Sequence, residues 1–517
     1  MKMFASLASA CALSIALTVG ASAESIKIAY DADPVSLDPH EQLSGGTLQL
    51  SHMSFDPLLR WTQDLSFEAR LASSWEQIDD TTTRFHLREG VKFHSGAEMT
   101  ANDVLWTFNR LKESEDFRGI FSPFTELVVI DDYTFDLKTA EIYPLVLHTA
   151  TYIFPMDSAY YTGTDANGND MAAIVKHGDS FASSHISGTG PYIVTEREQG
   201  VSMVFERFAD YWDTDSVGNV DTITLTPIKE DPTRVAALLA GDVDFIAPVP
   251  PNDHARLNED DSVNLITMPG TRIITFQMNQ QSNPALADAR VRLAIDYAVN
   301  NAAIVDRIMK GFGTVAGQAS PMGYLGYDAA LAPRFDLDKA RELMAEAGYA
   351  DGFTLTMMAP NNRYVNDEKI AQAVAGMLAQ IGITVDLKTM PKAQYWPAFD
   401  ERSADMMMIG WHSDTEDSAN FHQFLSHCYD EATGNGQYNS GNYCNPEADA
   451  LMAQANVTVD PAERAALLQQ VEAILYNEAA FIPLHWQNLS WGARAGVNAQ
   501  PIVNALNFPY FGDLVVE

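Results

Sequence analysis

The residues best suited to chemistry lie in one short segment of the second half of the chain. Trp411 and His412 are followed by three carboxylates within four residues, Asp414, Glu416 and Asp417. Clustered carboxylates suit an amine or a more cationic ligand, and an indole can form an aromatic wall against it. Trp411 also follows four apolar residues, so it can equally end a buried strand. His412 suits contact with a ligand or with a metal complex.

A second segment, Gly188-Thr189-Gly190, has the glycine content of a phosphate-binding loop. Such loops hold phosphate with a following helix and a nearby lysine, and neither is indicated here. The sequence therefore predicts a turn, whose backbone can still line a ligand cleft. Tyr30, at the end of the first alternating segment, is a further candidate for a cleft wall.

The sequence lacks the signatures of catalysis. It holds no His-Glu-x-x-His, no Gly-x-Ser-x-Gly and no arrangement of serine, histidine and aspartate that indicates a nucleophile. The 12 histidines are scattered, and His422 and His427 lack the i, i+4 spacing of a zinc-binding helix. We therefore expect no catalytic residues, no cofactor and no metal site built by the protein alone. A metal carried inside a chelate stays open as a ligand.

The cysteines predict a disulfide. Cys11 lies in the first 23 residues, which have the pattern of a cleaved signal peptide. Cys428 and Cys444 stand sixteen positions apart in a segment rich in Asn, Gly and Tyr. Two cysteines in an oxidising compartment are typical of a bridge, and closing a loop of this length stabilises the fold by ~3 kcal/mol. In the alternative, Cys428 is a catalytic thiol or, with two nearby histidines, a metal ligand, but no flanking sequence supports it.

The composition and the first 23 residues limit the kinds of protein that this chain can be. The 517 residues include 32 Lys and Arg against 69 Asp and Glu, a formal net charge of −37. Nucleic acid and anionic membranes attract basic patches, so this charge argues against both as partners. Residues 1–23 combine a lysine, an apolar stretch and Ala21-Ser22-Ala23, the pattern of a cleaved signal peptide. We therefore expect an exported, periplasmic protein of two or three lobes that begins at Glu24.

The elements that position these residues change character along the chain. Alternating apolar residues predict a sheet-rich first half with two hairpins, 85–87 with 91–93 and 192–195 with 202–205. The second half is predicted to be α/β, with helices over 284–311, 336–347 and 366–381, strands at 353–357 and 383–387, and a last helix from Asp460. After Trp486 the chain is predicted to be irregular and to dock on an earlier lobe.

Several motifs stand in the order typical of one family. They are 55–59 (FDPLL), 71–76 (LASSWE), 85–96 (FHLREGVKFHSG), 188–192 (GTGPY), 210–212 (DYW), 241–244 (GDVD) and 291–295 (VRLAI). In these motifs the chain resembles the peptide and nickel class, family 5, of the solute-binding proteins of ABC transporters. The resemblance spans essentially the whole chain after residue 23.

This resemblance implies an α/β fold, the type II periplasmic-binding-protein fold of cluster C, with two hinged lobes. Lobe I is expected at 24–276 plus 491–517, with an extra subdomain at about 66–186, and lobe II at 277–490. The implied protein is a monomeric receptor without enzymatic activity, which closes on a small ligand and delivers it to an ABC permease.

The cleft loop is similar to that of the dipeptide-binding members. In those, an aspartate after a Gly-Trp pair accepts the amino terminus of the peptide, and an upstream arginine pairs with its carboxylate; the matching positions are Asp414 and Arg363. A zwitterion that loses water on closure needs one fixed charge of each sign. Residues 415–418 depart from the Gly- and Pro-containing turn of that group. A nickel chelate, an oligosaccharide or another amine-bearing solute therefore stays open, and an exported hydrolase has the least support.

Overall fold

The computed structural model describes residues 24–413 and 418–517. The predicted signal peptide and the carboxylates Asp414, Glu416 and Asp417 lie outside the described residues. The strands are β1 Glu24–Tyr30, β2 Leu59–Trp61, β3 Phe67–Ala69, β4 Ala72–Asp79, β5 Thr82–Leu87, β6 Phe124–Asp131, β7 Thr134–Thr139, β8 Tyr192–Glu198, β9 Ser202–Arg207, β10 Val220–Pro227, β11 Phe245–Ala247, β12 Val263–Met278, β13 Thr314–Val315, β14 Phe353–Pro360, β15 Ile383–Met390, β16 Met406–Trp411, β17 Phe481–Arg494, β18 Val497–Asn498 and β19 Val515–Val516. The helices are α1 Gly45–Ser54, α2 Ala101–Glu113, α3 Arg118–Phe121, α4 Val146–Ala150, α5 Ser158–Tyr161, α6 Asp231–Ala240, α7 His254–Asn258, α8 Pro284–Ala287, α9 Ala289–Ala298, α10 Asn301–Ala303, α11 Leu337–Glu346, α12 Asp367–Leu378, α13 Lys392–Asp400, α14 Ala419–Leu425, α15 Pro446–Asn456 and α16 Pro461–Glu478.

One large sheet runs through the molecule in the order β15-β14-β16-β12-β17-β11-β1-β10-β9-β8, with β13 beside β17. Its two central strands, β12 and β17, are 16 and 14 residues long and pair with each other in antiparallel register. On one side β17 pairs with β11, and on the other β12 pairs with β16. Two long strands therefore join two parts of the sheet, an arrangement that permits hinge motion.

We call the part with β1 and β8–β11 the first lobe and the part with β14–β16 the second lobe. The first lobe also carries a separate four-stranded sheet, β4-β5-β7-β6, which lies within the predicted extra subdomain. In the second lobe, β14 and β15 are parallel and are connected through α12, which confirms the predicted crossover. Residues of these elements form one continuous apolar core under that face of the sheet.

Local capping chemistry explains several helix starts. The Thr100 side chain accepts a hydrogen bond from the backbone of α2 while Asp103 bonds back to the backbone of Thr100, as the sequence predicts. The carboxylate of Asp460 accepts from two backbone N–H groups at the start of α16, which also confirms the predicted start.

The structure differs from the predicted elements at three places. Residues 91–93 form no strand beside β5, because β5 pairs with β4 and β7 instead. The helix expected over 284–311 is divided into α8, α9, α10 and a short π turn, since Asp288 ends α8 and caps α9 with its own side chain. The chain continues as β17 to Arg494 rather than becoming irregular after Trp486, because β12 and β11 supply backbone partners on both sides.

Candidate ligand-binding cleft

Two adjoining cavities lie between the lobes. The first encloses about 690 Å³ of empty space and the second about 670 Å³, counting the parts open to solvent. Gly45, Arg272 and Arg363 line both, so the two cavities form one continuous cleft. Residues of the first lobe, including the start of α1, face residues of the second lobe across it.

Trp411 and His412 lie on the wall of the first cavity. Trp411 ends β16 and is only 6% exposed; its Nε1 donates to Oδ1 of Asn420 at 2.6 Å, and its ring centre lies 4.7 Å from that of Tyr438. Trp411 therefore ends a buried strand, as one interpretation predicted, and it also lines the cavity; contact with a ligand stays a prediction. The His412 ring meets Phe508 edge to face at 6.1 Å.

Charges in the first cavity are paired across the cleft. Nζ of Lys176, on the first lobe, lies 3.0 Å from a carboxylate oxygen of Asp116 and 3.8 Å from one of Asp400 on α13. Burial alone lowers the pKa of Lys176, but these carboxylates outweigh it and raise the pKa above its usual value. Asp116 also accepts hydrogen bonds from the Tyr438 hydroxyl of the second lobe and from the backbone of Leu43. This cluster fastens one lobe to the other.

Arg363 follows β14 and lies where the two cavities meet. Its backbone N–H donates to Oδ2 of Asp367 at 2.9 Å, and the N–H of Tyr364 donates to the same oxygen at 3.0 Å, which fixes the turn before α12. The guanidinium stands over the Tyr364 ring at 5.0 Å, and its buried Nε has no hydrogen-bond partner among the described residues. No ion pair joins this guanidinium to a carboxylate in the described part of the chain.

The second cavity brings together Tyr30, Asp31 and Lys392. Tyr30 is 2% exposed, and its hydroxyl forms no hydrogen bond within the part of the chain that the structure describes. Burial raises the pKa of Asp31, against the attraction of Lys392, and burial lowers the pKa of Lys392, against the attraction of Asp31. The two groups are thus close enough to interact, yet no hydrogen bond or ion pair joins them.

Helix α1 begins beside two cationic side chains of the cleft, Arg272 and Lys392. A Cβ atom on Gly45 would lie 2.9 Å from Nη2 of Arg272, and one on Gly46 would lie 3.7 Å from Nζ of Lys392. Glycine at position 45 therefore leaves the room that Arg272 occupies at the cleft. The first backbone N–H groups of a helix have no acceptor within it, so this end of α1 adds partial positive charge to the same place.

The Gly188-Thr189-Gly190 segment lies elsewhere. A Cβ atom on Gly188 or Gly190 would stand within 2.5 Å of the backbone of Ser54, so both glycines permit a close approach to the end of α1. The Thr189 hydroxyl is fully buried and accepts from the backbone of Asp56. Among the described residues that line the two cavities, none comes from this segment. Close packing accounts for its two glycines, and contact with a ligand stays an untested prediction.

The predicted disulfide between Cys428 and Cys444 is present. The loop that it closes contains Tyr438, so the bridge supports a wall of the first cavity. His422 and His427 lie 3.2 Å and 3.5 Å from the carboxylate of Asp449 rather than beside a thiol. Over residues 24–413 and 418–517, no group of three or more His, Cys, Asp or Glu side chains is placed to hold a metal ion.

Sequence reasoning found Arg363, Trp411, His412 and Tyr30, which the structure brings to one cleft. It missed five charged residues of the cleft, Lys392, Arg272, Asp116, Lys176 and Asp400. A signal for three cleft residues was available. Asp31, Arg363 and Lys392 each follow the carboxyl end of a strand, β1, β14 or β15, where ligands bind in open α/β sheets. The order of the strands in the sheet is needed to know that these three strand ends lie at the same cleft.

Comparisons with known proteins agree with this architecture. The family model for bacterial extracellular solute-binding proteins, family 5, matches residues 66–433. The di/tripeptide-binding protein 1 of Pseudomonas aeruginosa is 31% identical over 80% of this chain and 79% of its own length, and the glutathione-binding protein GsiB of Salmonella typhi is 27% identical over 92% of this chain and 91% of its own. The dipeptide-binding protein of Pseudoalteromonas sp. SM9913, solved with Met-Leu, superposes with a TM-score of 0.86 at 22% identity and covers 96% of this chain and 100% of its own.

The fold is therefore that of the type II periplasmic binding proteins, as expected. Within the described ranges, no helix combines the length and the apolar character needed to cross a bilayer. The family consists of solute-binding receptors. The family match, the sheet topology and the cleft between the lobes agree, and this chain belongs to family 5 of the bacterial extracellular solute-binding proteins.

Proposed function

We propose that this protein is the periplasmic receptor of an ABC importer and that it binds dipeptides or short peptides between its lobes. After removal of residues 1–23, the lobes at 24–276 plus 491–517 and at 277–490 close on the ligand, and the closed monomer delivers it to the permease. The protein performs no catalysis. Peptide-binding relatives of similar length support this ligand class.

The observation that carries the proposal is the cleft itself, with the guanidinium of Arg363 at its centre. A charged group taken out of water without a partner is costly, and Arg363 has no carboxylate partner in the described part of the chain. A peptide carboxylate supplies that partner, in the bidentate geometry that arginine favours. Trp411 and Trp396 line the adjoining space, where they can pack against a side chain.

For the amino terminus of the peptide we propose Asp414, with His412 beside it. Asp414 lies outside the described residues, and the support is its position three residues after Trp411 on the wall of the first cavity. The carboxylate of Asp414 and the guanidinium of Arg363, which lines the same cavity as Trp411, would provide one fixed charge for each end of a zwitterion.

The ligand class is tested by thermal unfolding and calorimetric titration against dipeptides, tripeptides, longer peptides, oligosaccharides and nickel with histidine. A ligand that binds only the folded protein raises its melting temperature. We expect dipeptides or tripeptides to raise it most. A rise with sugars alone, or with nickel and histidine alone, would overturn the proposal.

The amine partner is tested with Asp414→Asn against a matched control, Asp351→Asn, which changes an exposed carboxylate away from the cavities. Loss of a charge-assisted hydrogen bond costs about 2 kcal/mol, so we expect about thirtyfold weaker binding of Ala-Ala for Asp414→Asn. The control should bind as the wild type does. Equal affinities for all three proteins would show that another group accepts the amine.

A further inference from the structure

The second cavity differs in charge from the rest of the molecule. Among the described residues that line it, three are cationic, Arg272, Arg363 and Lys392, and one, Asp31, is anionic. The whole chain has the opposite balance, with 69 acids against 32 bases. A local excess of positive charge in so acidic a protein is a feature that a ligand of negative charge explains.

Lys392 is the least satisfied of these cations. It is the first residue of α13, and its ammonium makes no hydrogen bond or ion pair with the part of the chain that the structure describes. Its backbone N–H, by contrast, is held by Oδ1 of Asn362 at 2.7 Å, so the start of α13 is fixed beside Arg363. The backbone of Lys392 is therefore fixed, while Asp31 attracts its ammonium without forming a hydrogen bond or an ion pair with it.

The arrangement along the cleft gives Lys392 a specific place. Arg363 stands where the two cavities meet, and Lys392 lies beyond it, in the second cavity alone. A peptide whose carboxyl terminus pairs with Arg363 would direct the side chain of its last residue either back into the first cavity or onward to Lys392. The start of α1, at Gly46, faces the same ammonium and adds backbone N–H groups to the site.

We propose that the second cavity is an anion subsite and that the preferred ligands are short peptides with an acidic residue at the carboxyl terminus. Arg363 pairs with the terminal carboxylate, and Lys392, beside the start of α1, pairs with the side-chain carboxylate. This inference rests on the proposed function, because it assumes that a peptide occupies the cleft.

The test compares Ala-Glu with Ala-Gln, which differ in one charge at nearly the same shape, by calorimetric titration at low salt. The wild type should bind Ala-Glu about tenfold more tightly, which corresponds to one charge-assisted hydrogen bond at a partly exposed site. Lys392→Met should reduce this preference to about twofold while changing the affinity for Ala-Gln little. Lys388→Met, at an exposed lysine four positions earlier, should keep the full preference.

The outcomes separate the two proposals. Equal binding of Ala-Glu and Ala-Gln by the wild type, or an unchanged preference in a folded Lys392→Met protein, overturns the anion subsite and leaves peptide binding intact. Binding of neither dipeptide, while another solute raises the melting temperature, overturns the proposed function and this inference with it. The melting temperature of Lys392→Met shows whether that variant is folded.

Discussion

The two cavities of the cleft contain similar numbers of charged groups but use them differently. In the first, Lys176 is held between Asp116 and Asp400, and Tyr438 donates to Asp116, so charges of one lobe are satisfied by groups of the other. In the second, Arg363 and Lys392 face the cavity without an ion-pair partner among the described residues. In the first cavity, Lys176, Asp116 and Asp400 thus join the lobes. Arg363, which lines both cavities, and Lys392 have no such role among the described residues, and we propose that they pair with the ligand.

The comparison shows why a charged residue in a cleft is not evidence of ligand binding in itself. A pair that is complete in the closed protein stabilises closure, and its removal should shift the equilibrium between open and closed forms for every ligand. A charge left without a partner is favourable only when the ligand completes it, so its removal should affect one ligand and spare another. Variants in the two cavities should therefore differ in selectivity and not only in affinity.

The largest effect should come from the disulfide that supports the first cavity. Replacing both Cys428 and Cys444 with serine frees the loop that presents Tyr438 and should lower the free energy of unfolding by about 3 kcal/mol. Thermal and denaturant unfolding measure this loss, and the wild type under reducing conditions is the control. The preference for Ala-Glu over Ala-Gln should survive in the variant, because Lys392 lies in the other cavity. An unchanged melting temperature would show that packing alone holds the loop.

Arg363 serves both cavities, so its removal should weaken every peptide. Arg363→Ala should reduce the affinity for Ala-Ala and Ala-Glu alike by about thirtyfold, or about 2 kcal/mol. This is the smallest loss expected when one partner of a charge pair is removed, because Arg363 is only half-buried. Arg363→Lys keeps the charge but not the bidentate geometry and should recover part of the affinity. If calorimetry finds both variants equal to the wild type, the ligand carboxylate binds elsewhere.

Tyr438 tests the inter-lobe cluster of the first cavity. Tyr438→Phe removes the hydrogen bond to Asp116, while Lys176 and the backbone of Leu43 still contact that carboxylate. One hydrogen bond of about 1 kcal/mol predicts about fivefold weaker binding, equal for Ala-Glu and Ala-Gln. Tyr429→Phe, at a 47% exposed tyrosine of the same loop, is the matched control. A loss confined to one dipeptide would mean that Tyr438 contacts the ligand directly.

The sequence predicted the scaffold well because its signals are local. The capping residues Thr100 and Asp460 and the alternating strands 353–357 and 383–387 each act within a few positions, and the cysteine pair lies within one loop. Ordered motifs then identified the fold as a whole.

The cleft was harder to predict, because it is formed by residues far apart in the chain. Asp31 and Lys392 are separated by most of the molecule, and nothing near either of them indicates the other. Distant partners also explain the two wrong predictions about strands. Residues 91–93 form no strand because β5 pairs with β7 instead, and the chain after Trp486 stays extended because it pairs with β12. Glycines 188 and 190 have the composition of a ligand loop, yet a contact with Ser54, more than a hundred positions away, accounts for them.

The smallest effect concerns pH and isolates the charge of Lys392. Burial lowers the pKa of this lysine below its usual value of 10.5, and the like charge of Arg363 lowers it further, whereas Asp31 and Asp33 raise it. As the pH rises through that lowered pKa, Lys392 loses its proton, and an acidic side chain of the ligand loses its charged partner. The ratio of the affinities for Ala-Glu and Ala-Gln should therefore fall with rising pH, by less than Lys392→Met reduces it. Both dipeptides carry the same amino terminus, so titration of that group cancels in the ratio. Calorimetry at several pH values should give a falling ratio for the wild type and a constant one for Lys392→Met; a fall of the same size in both proteins would assign the titration to another group.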